Sequence, residues 1–427
     1  MNVNVNERLL HAGVLALAAA LLTLDAARHN DDSDAQLYTV VARHMVEDGT
    51  WTQLRYLENV HPSFREHLPF GLWPSAITIR VAGERALPFL SALWTLLTVA
   101  LVIEFGRKLV SLEFGLIAGF ALATTERFIA YGAMHRLDPP LIFFALLSCG
   151  PLIFQRRDAR GFAVMATAAA IACLIKGPFG LVLPVAMTLG LNFSNRDLKW
   201  LAFGAIACFT ALIPVSLFVL LNKDWWDGYV VNQLLASATG TRTDGDSSPL
   251  ATLLALGALC WPWLPLALPW RRKLELQSLV FATGLTLVFL SLSSRKLPHH
   301  VLLVFPFIAL LVAQNLSTWP KLVLRVVVAL AVIGLPIAVW LNPAPRAVAC
   351  TQFAQQLSAL PPNTRVSVIA TTDGRHWREL ATLAAEFRLN PWLTGTRADA
   401  HPQSELILES TNGVWTLSAP AASSRTP

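Results

Sequence analysis

Acids and bases that could take part in a reaction are sparse in this chain, and most of them stand beside apolar runs. Asp34 closes the acidic stretch Asp31-Asp32-Ser33-Asp34, and Tyr38 follows four residues later. Glu66 and His67 adjoin in Glu66-His67-Leu68-Pro69. Asp138 precedes Pro139-Pro140, and Lys176-Gly177-Pro178 interrupts an otherwise unbroken apolar stretch. A last group is Arg295-Lys296-Leu297-Pro298-His299-His300. Carboxylates of this kind can take a proton from an attacking hydroxyl or amine or ligate a hard cation. Lysine and arginine can hold a phosphate. His299-His300 lacks further ligands at metal-site spacing, so it does not by itself make a zinc centre.

Each feature also has a plainer explanation. The aspartate run could be a solvated helix exit. Asp138 could cap a helix with proline in its first turn. Lys176 could snorkel to the lipid headgroups, and Trp225, Trp226 and Tyr229 could form an aromatic belt. The five cysteines make no Cys-x-x-Cys pair, and four lie in apolar runs as small buried hydrophobes.

The elements that must position these residues are membrane spans. Hydrophobic residues make up 54% of the chain and charged residues 14%, where a soluble domain carries about 25% charged residues. Stretches near the length of a spanning helix run over 9–27, 86–105, 109–125, 138–154, 161–175, 178–194, 200–221, 250–269, 276–292, 299–315 and 322–341. The first is taken as a retained helix, since no cleavage site followed by a hydrophilic domain succeeds it. With the N-terminus in the cytoplasm, the loops holding Arg107-Lys108, Arg156 to Arg160, Arg196 to Lys199, Arg271-Arg272-Lys273 and Lys321 all face inward, as the positive-inside rule asks. The long loops 28–85, 126–137 and 222–249 then face outward, and so does the polar segment 342–427. Strand-like runs Arg365–Ala370 and Glu405–Glu409 flank a helix-like run Trp377–Arg388 in that segment, which reads as a small α/β domain. In the first outer loop, Ala35–Glu47 reads as an amphipathic helix with Leu37, Val40, Val41, His44 and Met45 near one face, suited to lie in the membrane interface.

This topology gathers Asp34, Glu66, His67, Asp138, Lys176, Arg295 and Lys296 on one side of the membrane, although they come from different loops. Such a set suits a reaction on a charged amphiphile.

The order of the motifs resembles the integral membrane glycosyltransferases of the GT-C fold. The likeness is to the bacterial branch that contains the aminoarabinose–lipid A transferases and their relatives among protein O-mannosyltransferases. Members carry an Asp-Glu-x-x-Tyr-Ala-like stretch after the first helix, and Asp34-Ala35-Gln36-Leu37-Tyr38 keeps its Asp and Tyr. Their Phe-Glu-Lys-Pro-Pro-Leu-x-Tyr-Trp stretch is matched by Glu66 to Trp73, with His67 in place of Lys. Arg85-Ala86-Leu87-Pro88, Asp138-Pro139-Pro140-Leu141, Lys176-Gly177-Pro178, Trp261-Pro262-Trp263 and Ser293 to His300 follow in the family's order.

The small extracytoplasmic α/β domain over 342–427 is read from composition and topology alone. The resemblance, which covers roughly residues 25–315, implies an all-α polytopic domain over 1–341 with about 11–13 spanning helices. It implies transfer of a sugar from a polyprenyl-phosphate donor to a lipid A-like lipid, protein or glycan acceptor at the periplasmic face of a bacterial inner membrane. Transfer would proceed with inversion. Asp34 and Glu66 would be catalytic, and Tyr38, His67, Asp138, Lys176, Arg295 and Lys296 would bind substrate. A neutral His67 would hold phosphate more weakly than lysine and would strengthen on protonation. Some members of the fold use a divalent metal ion, but no ligand spacing here requires one. Membrane lipids are expected partners and nucleic acid is not. A transporter or flippase of lipid-linked sugars is the alternative, although it would need internal repeats or broken mid-membrane helices, which the sequence lacks. A non-catalytic scaffold is the third reading.

Overall fold

The computed structural model describes residues 5–28, 32–239, 241, 248, 250–267, 276–292, 296–341, 347–369, 376–396, 399–411 and 414–419. Apolar helices account for the membrane part. They are α1 (Val5–Ala26), then α4 (Leu87–Leu109), α5 (Leu112–Ala123), α7 and α8 (Asp138–Ser148 and Gly150–Ile153), α9 (Ala159–Lys176), α10 (Val182–Asn195) and α11 (Leu198–Leu221). Two short helices of the first loop, α2 (Ser33–Glu47) and α3 (Trp73–Ala82), and one of the second, α6 (Glu126–Gly132), complete that half of the chain. Further helices cover Ala251–Leu259, Gln277–Leu292, Phe305–Leu316 and Lys321–Leu341.

Local sequence sets the ends. The Ser111 hydroxyl caps α5 by accepting from the Phe114 amide, and the Asp158 carboxylate caps α9 through Gly161. Pro88 stands in the first turn of α4, and Arg107 and Lys108 occupy its last turn, opposite the negative end of the helix dipole. Small residues then let helices touch backbone to backbone, as packing within lipid favours. A Cβ on Gly115 would stand 2.2 Å from the Ile103 carbonyl oxygen, which seats α5 on α4. A Cβ on Gly190 would stand 2.3 Å from the Ser278 carbonyl oxygen, which seats α10 on the Gln277–Leu292 helix. Large apolar side chains remain outside the bundle, among them Phe209 and Leu221 on α11, as expected of a lipid-facing surface. Among the described residues, five stretches are long and apolar enough to cross a membrane by length and composition. All five cysteines are buried thiols.

Two expectations need correction. The stretch 250–269 is not one span, because its helix stops at Leu259, turns through Cys260–Trp263 and resumes only over Leu264–Ala267. Pro262 and Pro265 have no amide hydrogen to carry a continuous ladder. Nor does α2 lie open in the interface: Ala35, Gln36, Tyr38, Val40, Val41, Ala42, Arg43 and Met45 are all buried, which is more than one face.

The C-terminal segment is the element that covers α2. It forms a four-stranded sheet of order β2-β1-β3-β4, from β1 (Arg365–Ile369), β2 (Asn390–Thr394), β3 (Leu406–Thr411) and β4 (Val414–Ser418). β1 runs parallel to β2 and β3, and β4 is antiparallel to β3. The helix His376–Ala385 connects β1 to β2 and packs on α2. The strand-like and helix-like runs of the sequence are β1, β3 and this helix; β2 and β4 carried no comparable signal.

Candidate active site

The site is built around an arginine. Arg136 lies in the loop between α6 and α7, and its side chain is 2% exposed. Nη1 donates to Asp32 Oδ1 at 2.6 Å, Nη2 to Asp34 Oδ2 at 2.7 Å, and Nε to Asp138 Oδ2 at 3.1 Å. Burial alone would favour losing the proton. The three carboxylates outweigh it and hold the guanidinium charged well above its ordinary range. Tyr131 supplies a ring face 5.2 Å from the guanidinium carbon.

Local structure delivers the three acids. Asp32 is the N-cap of α2: its Oδ1 accepts the Ala35 amide as well as the Arg136 donor. That places Asp34 in the first turn of the helix, 41% exposed at its side chain. Asp138 is the first residue of α7, with Leu137 in the capping position. Its side chain is therefore not a cap but an ion-pair partner. Oδ1 accepts from Lys176 Nζ at 2.8 Å, so Lys176 is held by a buried carboxylate rather than snorkelling.

Lys176 is fixed by its neighbours. It ends α9, and Gly177 follows at φ +63°. A Cβ on Gly177 would stand 1.9 Å from the Tyr229 hydroxyl oxygen, so only glycine fits both the backbone and the space. Tyr229 and Trp225 are buried against the bundle rather than lining a membrane belt. The Trp225 indole donates to the Thr52 carbonyl at 3.2 Å, which ties the loop 222–249 to the loop 28–85.

Tyr38, one turn after Asp34, meets His67: its hydroxyl lies 2.9 Å from His67 Nε2. Burial pushes the Tyr38 phenol well up; Asp34, Asp138 and Glu66 add to the rise, and Arg136 opposes it. Tyr38 is thus a neutral hydroxyl that can bond His67. Glu66 lies 3.6 Å from the His61 ring nitrogen. Lys296 is buried and lines a different cavity, of about 460 Å³, with Leu259, Leu290, Leu297 and His300. Arg295 lies outside the described residues.

Among the described residues no group of three His, Cys, Asp or Glu side chains is arranged to hold a metal ion. Asp32, Asp34 and Asp138 converge on the Arg136 guanidinium.

Sequence reasoning missed two residues of this site. Arg136 carried a usable signal: in the topology expected from the sequence it is a basic residue in a loop that the positive-inside rule would leave poor in lysine and arginine. His135 is buried between Thr39 Oγ1, 2.9 Å from Nδ1, and Ser75 Oγ, 2.8 Å from Nε2. The Thr39 hydroxyl donates to the Ala35 carbonyl, so it accepts from Nδ1–H, and Nε2 accepts from Ser75. Burial lowers the His135 imidazolium pKa to about 4, so the ring is neutral at pH 7. A larger cavity, of about 1000 Å³, lies on the other flank of α2, lined by Gln36, Thr39, Glu84, Arg85, His135 and Glu386 among others.

Overlaid on solved structures, the chain matches ArnT from Cupriavidus metallidurans bound to undecaprenyl phosphate with a TM-score of 0.68 at 18% identity, covering 90% of this chain and 85% of that one. The chain has the GT-C fold. Archaeal oligosaccharyltransferase AglB from Archaeoglobus fulgidus, in complex with an inhibitory peptide and a dolichol-phosphate, matches more distantly, with a TM-score of 0.53 at 11% identity over 89% of this GT-C chain and 64% of AglB. A family model described as dolichyl-phosphate-mannose-protein mannosyltransferase matches residues 61–220. Undecaprenyl phosphate-alpha-4-amino-4-deoxy-L-arabinose arabinosyl transferase 2 of Pseudomonas fluorescens (strain Pf0-1) is 27% identical over 317 residues, covering 66% of this chain and 55% of the relative. An uncharacterized protein of Aquifex aeolicus (strain VF5) is 26% identical over 284 residues, covering 64% and 65%. The GT-C chain thus spans a little over half the length of the curated arabinosyl transferase it matches.

Proposed function

We propose that this protein transfers a sugar from a polyprenyl-phosphate donor to an acceptor at the outer face of a bacterial inner membrane. The observation that carries the reading is the Arg136 hub, which fixes Asp34 at the head of α2 and Asp138 beside Lys176. The fold likeness to a protein solved with undecaprenyl phosphate supports it. The side of the membrane rests on the distribution of lysine and arginine among the loops.

In this mechanism the acceptor oxygen or nitrogen attacks the anomeric carbon and the bond from that carbon to the phosphate oxygen breaks. The electron pair leaves with the polyprenyl phosphate. Asp34 orients the acceptor and takes its proton. One Lys176 donor is spent on Asp138, and the ammonium has others to offer the phosphate. A cation on the leaving group stabilises the charge that develops in the transition state. His67, positioned by Tyr38, supplies a further donor to the carrier, and the motif that holds Arg295 and Lys296 contacts the carrier from the separate cavity that Lys296 lines. Glu66 positions the acceptor. Attack opposite the phosphate inverts the anomeric centre. The acceptor is a lipid A-like lipid, a protein or a glycan.

The test is transfer by the purified protein in liposomes from a labelled polyprenyl-phosphate sugar to membrane extracts. Asp34→Asn is expected to lower turnover by about 10²–10⁴-fold while the protein stays folded. Undiminished transfer by that variant removes the assigned role. Movement of labelled donor across the bilayer without product would favour the flippase reading.

A further inference from the structure

Among the described residues, the C-terminal domain contributes no acid or base to the Arg136 cluster, yet it holds the helix that carries Asp34. The contact is made by Arg43, which lies on α2 nine residues beyond Asp34, or about 13 Å along the axis. Arg43 is 6% exposed. Its Nε and Nη2 donate to the two carboxylate oxygens of Glu84, both at 2.7 Å. Nη1 donates to the Ala384 carbonyl at 2.9 Å and Nη2 also to the Ala385 carbonyl at 2.5 Å.

Those carbonyls belong to the last turn of the helix His376–Ala385. The final four carbonyls of a helix have no partner within it and carry its partial negative charge. A planar guanidinium with five donors can satisfy two of them and a carboxylate together; a lysine ammonium cannot reproduce that fork. Glu84 follows the Gly83 turn that ends α3 and leads into α4, and it also accepts from Arg388 at 3.0 Å. Gln36, on α2 near Asp34, donates to Glu386 at 2.9 Å. One buried side chain therefore binds α2 to the membrane domain through Glu84 and to the sheet domain through its connecting helix.

We propose that Arg43 is a positioning residue, through which the C-terminal domain holds α2 so that Asp34 and Tyr38 stay in register with Arg136 and His67. This rests on the function proposed above for its catalytic consequence, but not for its structural one. The latch fixes the direction of α2 at its far end, while the Asp32 cap and Arg136 fix the near end. Freed at one end, the helix can tilt, and Asp34 moves relative to the phosphate-binding cations.

The experiment uses full-length protein in detergent or liposomes and compares wild type with Arg43→Lys and Arg43→Gln. Hydrogen–deuterium exchange is expected to rise in 33–47 and 376–389 and to stay unchanged in α7 and α9. Turnover is expected to fall by about ten- to a hundredfold with the donor KM within twofold of wild type, and Lys to restore less than half of it. Unchanged exchange in 33–47, or faster exchange throughout the chain, overturns the proposal. So does a loss confined to KM. If the wild type transfers no sugar, the function proposed above fails and the exchange pattern alone decides the latch.

Discussion

Lys176 Nζ donates to Asp138 Oδ1 at 2.8 Å, and the bond joins the last residue of α9 to the first residue of α7. The other Asp138 oxygen is taken by Arg136, so a buried carboxylate is shared between a structural cation and one that can reach a ligand. Replacing Lys176 by Met is expected to lower kcat/KM for the donor by about ten- to a hundredfold, the range of one charge-assisted hydrogen bond. Lys176→Arg should recover part of that loss. The check is the dependence of transfer rate on donor concentration.

Arg136 is of a different kind, because its removal leaves three carboxylates facing one another, with Asp138 buried among them. Arg136→Met is expected to destabilise the protein by about 3–5 kcal/mol and to lower its melting temperature. Arg136→Lys, which keeps the charge but lacks the planar fork, should fall between. Thermal unfolding of the detergent-purified variants measures both, and a melting temperature equal to wild type for Arg136→Met would remove the hub from its structural role.

Acid should loosen the same region through His135. Burial holds its folded pKa near 4, below the roughly 6.5 of an exposed imidazole. Between these values the unfolded chain binds the proton and the folded one does not. Stability from this residue is therefore complete above about pH 6.5 and is lost as pH falls towards 4, by roughly 3 kcal/mol in all. His135→Gln, which can still accept and donate, is expected to flatten the dependence of melting temperature on pH over that window. An unchanged slope would show that other groups carry it.

The Gly177 turn makes a steric claim that a double variant can test. Gly177→Ala forces a Cβ onto the Tyr229 hydroxyl and into a left-handed conformation, at a cost of about 1–3 kcal/mol. Adding Tyr229→Phe removes the colliding oxygen but not the backbone strain, so the double variant should melt between Gly177→Ala and wild type. A double variant no better than Gly177→Ala would assign the whole effect to the backbone.

Much of this was legible in the sequence. The eleven apolar stretches fall on apolar helices, apart from the break after Leu259 and the 3-10 turns Gly177–Leu181 and Pro298–Val304 that open two of them. Asp34, Asp138 and Lys176 stand together around Arg136, and Tyr38 with His67 beside them. Arg136 itself went unread. It sits in a short loop with no periodicity, and its partners Asp32 and Asp34 are 104 and 102 residues away. α2 was misread because its buried surface faces a helix more than three hundred residues later; period and composition cannot tell an interfacial helix from one covered by a distant domain. β2 gave no strand signal because it opens with Asn390-Pro391, and proline is tolerated only on an edge, which is where β2 lies.

The burial of all five cysteines makes the chain a natural blank for thiol reagents. A cysteine introduced at Asp224 or Arg156, both open to water, would be tagged without background from the native sulfurs. A membrane-impermeant maleimide applied to intact cells should mark Asp224→Cys at once and Arg156→Cys only after permeabilisation. The opposite pattern would turn the molecule over in its bilayer and move the proposed chemistry to the other compartment.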